Sequence, residues 1–340
     1  MIRRLSRRSL LRWTGTAAGA ALLATAACGT RTTFDEDGRR LLRLGYIMSE
    51  GDPGHAGAVR LAELVAERSD TLRILPQPNG LLGGEQDLWE GLHIGSIDMA
   101  LTGVGPISFF TPQFAGVQMY YAIRDLSHLD AVFHGAIGRE VAAALLEAKR
   151  GRILDWWHRG ARQVTANRPI REPADLRGLK LRCPEGRTYI ESWRSLGASP
   201  TPMALGELFT ALEQGVVDAQ ENPLELIESQ SMSEVQSHVS MTSHQYAAFL
   251  MAVSERTWQQ LSAAEQDLLH QAVVDAGTFE KRAVQDIEST ARAALRDDGM
   301  AVVEDVDIAR FEEICLDTAR RLETEGLWQS GLYERVREAA

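Results

Sequence analysis

Arg162, Arg182 and Asn222 are the residues of this chain best suited to holding an organic anion. A guanidinium grips a carboxylate through two parallel charge-assisted hydrogen bonds, each worth roughly 1.5–3 kcal/mol when desolvated, and an amide adds a neutral donor. Arg182 ends the run Gly178-Leu179-Lys180-Leu181-Arg182. The alternation there puts Leu179, Leu181 and Cys183 on one face and Lys180 and Arg182 on the other, which predicts a half-buried strand whose end is a rigid mount. The competing role for Arg182 is a surface ion pair with Glu185 or Glu207, worth little when exposed. Arg162 stands in Gly160-Ala161-Arg162-Gln163-Val164-Thr165 and Asn222 in Gln220-Glu221-Asn222-Pro223. An asparagine before proline is also a common turn residue.

The elements that must position these side chains follow from periodicity. Leu42 to Ile47 reads as a strand, Ala58, Leu61, Ala62 and Val65 recur at helical spacing, and Leu72 to Leu75 is a second strand. A helix over Gln86 to Ile94 stops at Gly95 and leads into a strand over Ile97 to Leu101. The order β-α-β-α-β predicts a parallel sheet with covering helices. The same order returns with strand Leu179 to Cys183, a helix carrying Tyr189, Trp193 and Leu196, an extended Ser199 to Met203, a helix with Leu205, Leu208, Phe209 and Leu212, and a strand Val216 to Ala219. Gly95-Ser96-Ile97-Asp98 and Gly215-Val216-Val217-Asp218 echo each other at matching places. From Ala263 to Leu295 a long helix is predicted, with Leu268, Leu269, Val273, Val274 and Phe279 apolar; a strand at Val302-Val303 and a helix over Ile308 to Leu322 follow.

Length and composition bound the function. At 340 residues, with 44% hydrophobic and 24% charged side chains, the chain is an ordinary globular protein large enough for two lobes. The first 28 residues hold five arginines and no acid, so without them 31 basic side chains face 47 acidic ones, a net charge of about −16. Such a surface repels nucleic acid, and an anionic ligand requires a local cationic pocket. Cys28, Cys183 and Cys315 are too few for a disulfide framework, and Cys183 and Cys315 are expected as separate buried thiols. No Gly-x-Ser-x-Gly elbow, phosphate loop or Cys-x-x-Cys is present, and the 8 histidines show no metal spacing. Those absences exclude only the enzymes that use these motifs; no cofactor or metal is expected.

The N-terminus reads as an address. Ser6-Arg7-Arg8-Ser9-Leu10-Leu11-Arg12 followed by a small-residue apolar stretch over Trp13 to Ala24 has the order of a twin-arginine export signal and is too short to span a membrane. Thr25-Ala26-Ala27-Cys28 resembles a lipobox, with Cys28 the lipidated residue and residues 29–40 a tether. Cleavage after Ala27 without lipidation is the alternative.

The segments around Arg162, Arg182, Gly197 to Met203 and Asn222 closely resemble the solute-binding proteins of tripartite ATP-independent periplasmic (TRAP) transporters of the dicarboxylate-receptor type, from about Leu42 onward. The resemblance implies a two-lobed α/β fold with a ligand cleft between lobes, crossing strands and a long bridging helix. Lobe I is then 41–159 plus 248–287 and lobe II 160–247 plus 288–340. It implies Arg182 as the carboxylate clamp, Arg162 as a second arginine near a lobe crossing, where a hinge-stabilising salt bridge is the alternative, and Asn222 as a polar ligand contact. His55, in the loop after the first strand, Thr102 and Gly103, at the end of the third, and Gln245 with Tyr246, near the second crossing, are further candidates. Trp156 and Trp157 are expected in the core. Sialate-binding members carry an acidic side chain where Gly103 stands, which argues against sialic acid, and the small, polar-to-Gly edge at Thr102-Gly103 leans the ligand toward a sugar acid or related hydroxylated acid over a succinate-like one. The implied partner is a two-part membrane permease; a sensor kinase receiving the closed form, or an exported hydrolase, are the rival roles.

Overall fold

The computed structural model describes residues 33–340, so the export segment and Cys28 lie outside the described residues. Those residues form one ten-stranded mixed sheet with helices packed on it. The strands are β1 (Thr33–Phe34), β2 (Arg40–Tyr46), β3 (Leu72–Gln77), β4 (Met99–Gly103), β5 (Arg152–Ala166), β6 (Lys180–Cys183), β7 (Ser199–Pro202), β8 (Ala219–Pro223), β9 (His238–Val253) and β10 (Ala301–Val303). The main order is β1-β2-β4-β9-β5-β8-β6-β7, with β3 on β2 and β10 on β9.

Two parallel β-α-β-α-β units flank an antiparallel centre. In the first, β2 pairs parallel with both β3 and β4; in the second, β6 pairs parallel with both β7 and β8. Between them run the two longest strands, β5 and β9, antiparallel to each other. One end of β9 binds β4 of the first unit, and β5 binds β8 of the second. Periodicity did not disclose these two strands as single elements, because their burial is nearly continuous along the chain. A strand covered on both faces loses the period of two.

The echo around Asp98 and Asp218 is structural. Gly95 and Gly215 both adopt positive φ, 74° and 67°. In each case the next two amides fold back onto one helical carbonyl, Gly91 O or Ala211 O. This C-terminal closure holds Ile97 and Val217 beneath the helix instead of in the sheet. For that reason the strands expected at Ile97 to Leu101 and Val216 to Ala219 begin later, at Met99 and Ala219. Asp98 Oδ2 accepts from the Arg43 amide at 3.0 Å, and Asp218 Oδ2 accepts from the Lys180 amide at 2.9 Å. Each aspartate therefore ties its unit's third strand to its first.

The long helix, Ala263–Asp297, has 35 residues and spans about 50 Å at 1.5 Å per residue. Ser262 caps it, accepting from the Glu265 amide while Glu265 accepts from the Ser262 amide. Leu269, Val273 and Ala276 enter the core built on β2, β4 and Trp157, whereas Ala291 and Leu295 enter the core beneath Leu208, Val217 and Val239. Gly277 permits its close approach, since a Cβ there would lie 2.6 Å from Trp157 Nε1. Phe279, expected among the apolar residues of this helix, is 43% exposed. A third cluster runs through both units on the opposite face and takes in Trp156, Leu181, Tyr189, Trp193 and Phe311. Trp156 and Trp157 are core residues, and Cys183 and Cys315 are separate buried thiols.

Replacing Asp218 with alanine removes one backbone-capping hydrogen bond and is expected to lower stability by about 1 kcal/mol. Asp98→Ala is expected to cost more, about 2 kcal/mol, because Asp98 Oδ1 also accepts from Thr257. Urea unfolding midpoints check the order; equal midpoints, or a larger loss for Asp218→Ala, contradict it.

Candidate functional site

The carboxyl ends of the parallel strands converge on a cavity of about 310 Å³. Gly103 is the last residue of β4, Arg182 is the next to last of β6, and Asn222 is the next to last of β8; all three line it. Open α/β units place ligands at this end because the strands stop there and the connecting loops leave room. Arg162 from β5 and Gln245 from β9 complete the wall from the antiparallel centre.

Arg182 is 3% exposed, while Lys180 on the same side of β6 is exposed, so the polar face of this strand turns from solvent into the cavity along its length. Its Nε and Nη2 donate to the Met203 carbonyl at 3.1 and 2.8 Å. Among the described residues no carboxylate pairs with it, and the ion pair with Glu185 or Glu207 does not form. Burial pulls its pKa down to about 10, with Glu221 opposing and Arg162 reinforcing the shift. Arg182 is a fixed cation whose charge is not locally neutralised.

Arg162 has a partner of its own. Its Nε and Nη2 meet both carboxylate oxygens of Glu221, and Nη2 also donates to Asn222 Oδ1 at 2.8 Å. Glu221 is fully buried and accepts from His244 Nε2 at 2.9 Å as well. Because a carboxylate only accepts, His244 Nε2 carries the proton, and Nδ1 faces the Thr242 hydroxyl at 2.8 Å. Burial would raise the Glu221 pKa, yet Arg162 and His244 outweigh it and bring it down to about 2. Burial likewise disfavours the Arg162 charge, and Glu221 reverses that into a net upward shift. The salt bridge is thus real, and Arg162 still presents its remaining edge to the cavity. Asn222 lies in a strand, not a turn, with its amide nitrogen donating to Gln220 at 2.6 Å.

The remaining candidates divide. Gln245 donates to the Gln118 carbonyl at 2.6 Å, and its Oε1 has no partner. Thr102 is buried off the cavity wall, accepting from Trp89 Nε1 at 2.8 Å. His55 also lies off the wall, its Nδ1 3.0 Å from the Tyr46 hydroxyl, and Tyr246 does not line the cavity.

Among the lining residues that the sequence reading missed, Arg159 and Glu85 carry charge. In a regular strand Arg159 and Arg162, three apart, face opposite sides. Between His158 and Ala161, however, β5 inserts one extra residue against β9. The bulge brings both arginines to one side, and no periodicity encodes it. Glu85 starts the helix Glu85–Ile94 and accepts from the Gly103 amide at 2.7 Å. Among the described residues no cluster of His, Cys, Asp and Glu is placed to hold a metal, and no helix is long and apolar enough to cross a membrane.

Comparison with known proteins gives the same architecture. The profile of a family described as bacterial extracellular solute-binding protein, family 7, matches residues 44–324. A solute-binding protein of Roseobacter denitrificans is 36% identical over 88% of this chain and 91% of its own length. A structure of a TRAP periplasmic solute binding protein from the same organism, with bound L-galactonate, has a TM-score of 0.79 at 35% identity over 84% of this chain and 98% of that one. One from a Polaromonas species, bound to D-erythronate, has a TM-score of 0.83 at 31% identity over 88% and 98%.

The Glu221 environment sets a pH dependence. Its folded pKa lies below the ordinary 4.5, so the stability it contributes is present above about 4.5 and is lost as pH falls toward 2. At 1.36 kcal/mol per unit this is on the order of 3 kcal/mol. Glu221→Gln is expected to be less stable than wild type at pH 7 and to lose less on acidification from 4.5 to 2, followed by denaturant titration at each pH. Parallel stability curves for the two proteins exclude the assignment.

Proposed function

We propose, for a chain that belongs to family 7 of the bacterial extracellular solute-binding proteins, the role of a TRAP transporter receptor that captures a small organic acid through Arg182. Its relatives are solute-binding receptors, and the chain is a receptor rather than an enzyme. The observation that carries the clamp is a buried guanidinium at a strand end, lining a cavity, with a single carbonyl as partner and no carboxylate. A ligand carboxylate supplies the missing anion, with the free edge of Arg162 beside it. The related structures hold D-erythronate and L-galactonate, hydroxylated acids with one carboxylate, which supports this reading.

Delivery to a two-part permease follows from closure of two lobes, 41–159 plus 248–287 and 160–247 plus 288–340. Glu85, Gly103 and Arg159 line the cavity from the first lobe, and Arg162, Arg182, Leu205 and Asn222 from the second. Two of the three register irregularities of β5 fall beside Arg159 and Arg162, where the chain passes from one lobe to the other. A ligand touching both sides favours the closed form, which is the shape a permease recognises. Lipid anchoring through Cys28 would hold the receptor at the outer face of the membrane.

A melting-temperature screen of sugar acids, C4-dicarboxylates and keto acids is expected to find a stabilising ligand, released chemically unchanged on denaturation. Arg182→Ala is expected to weaken that ligand by 100-fold or more in calorimetric titration, since a buried two-bond contact to a charge is lost. Affinity within threefold of wild type in this variant removes Arg182 as the clamp.

A further inference from the structure

A cation without a partner lies on the first-lobe wall of the cavity. Arg159 is 7% exposed, its Nε and Nη2 have no hydrogen-bond partner, and it forms no ion pair among the described residues. Its guanidinium carbon lies 4.5 Å from the centroid of the Phe249 ring, which orients the group without satisfying its donors. Burying such donors without a protein partner is unfavourable, which leaves them open to a ligand.

The place where Arg159 ends is defined by Gly103. A Cβ on that glycine would lie 3.8 Å from Arg159 Nη1 and 3.3 Å from Glu85 Oε1. The two groups are therefore at most 7.1 Å apart across the bare edge of β4, yet not in ion-pair contact. A group sitting between them must accept from a guanidinium and donate to a carboxylate. A hydroxyl does both, with donor to acceptor distances near 2.8 Å on either side. A second carboxylate accepts only, and it would face Glu85. The buried acids Asp52, Glu225 and Glu280 lie within electrostatic reach of Arg159, but burial raises the pKa of each, most strongly for Glu280, and none forms an ion pair with it.

We propose that Arg159, working with Glu85 across the gap left by Gly103, is a specificity-determining residue that makes the cavity select a polyhydroxylated monocarboxylate, a sugar acid of the aldonate kind, over a dicarboxylate or an unsubstituted acid of the same length. This rests on the carboxylate-receptor reading, with Arg182 taking the acid end and Arg159 and Glu85 taking hydroxyls further along the ligand. A polar site that loses its ligand hydroxyl leaves its own groups unpaired, so discrimination exceeds what the lost contact alone provides.

The test is calorimetric titration of the purified full chain with hexonate epimers (galactonate, gluconate, gulonate), hexanoate and adipate. Wild type is expected to bind its best hexonate at least 100-fold tighter than hexanoate or adipate. Arg159→Met, which keeps the length of the side chain and removes its donors, is expected to weaken that hexonate by 10- to 100-fold while changing hexanoate by less than threefold. Glu85→Gln is expected to weaken the hexonate at least fivefold without affecting hexanoate. Wild type binding hexanoate or adipate within threefold of the best hexonate overturns the proposal, and because this comparison needs no variant it holds even if Arg159→Met fails to fold. Equal weakening of hexonate and hexanoate in a folded Arg159→Met also overturns it, assigning Arg159 to the scaffold. Failure of the receptor reading looks different: wild type then binds none of these acids.

Discussion

Burying a guanidinium away from a carboxylate is unfavourable, and the arrangement of this cavity is set by how each of its three arginines meets that constraint. Arg162 meets it with Glu221, a fully buried acid held in turn by His244. The pair is internally neutral, so removing either member would strand a charge, which costs about 3–5 kcal/mol. Arg182 meets it with one main-chain carbonyl, which satisfies two donors and leaves the charge uncancelled. Arg159 has an aromatic ring and distant acids. Within a molecule whose net charge is −11, the positive potential at the cavity therefore comes from Arg182 and Arg159.

The neutralised Arg162 still contributes. Glu221 fixes its orientation through two contacts, and its third nitrogen remains on the cavity side. A preorganised donor loses little side-chain entropy when a ligand arrives, which favours affinity over a freely rotating cation. The His244 ring, packed edge-on against Tyr120 and Trp193 at 4.7 and 4.9 Å, holds the far side of Glu221. The network thus reaches from the hydrophobic core to the ligand wall through His244, Glu221 and Arg162.

Local pattern made much of this architecture legible. Alternation located β6 and put Arg182 opposite Leu181, and glycine punctuation gave both helix stops, Gly95 and Gly215. The repeated Gly-x-x-Asp segments, a weak signal alone, mark the same hydrogen-bonded closure in both units. What stayed hidden depends on tertiary context. The strand identity of β5 and β9 is masked by burial on both faces, and the pairing of Arg162 with Glu221 joins positions 59 residues apart. Arg159 was hidden by a single inserted residue, which reverses the facing that its spacing from Arg162 predicts.

That inserted residue also joins the cavity wall to the rest of the fold. At the bulge the β5 amides leave the β9 ladder, and carboxylates capture them: His158 N donates to Glu280, Gly160 N to Glu225 and Ala161 N to Glu288. Glu280 and Glu288 belong to the long helix, whose two ends sit in different cores. Strand, helix and arginines therefore share one short segment, 158–162. A continuous ladder at the same place would fix the strand through main-chain hydrogen bonds alone, whereas here the long helix and the helix that follows β8 hold it through side chains. The defect in the sheet that brings Arg159 to the cavity wall is thus also the point at which side-chain acids replace main-chain partners.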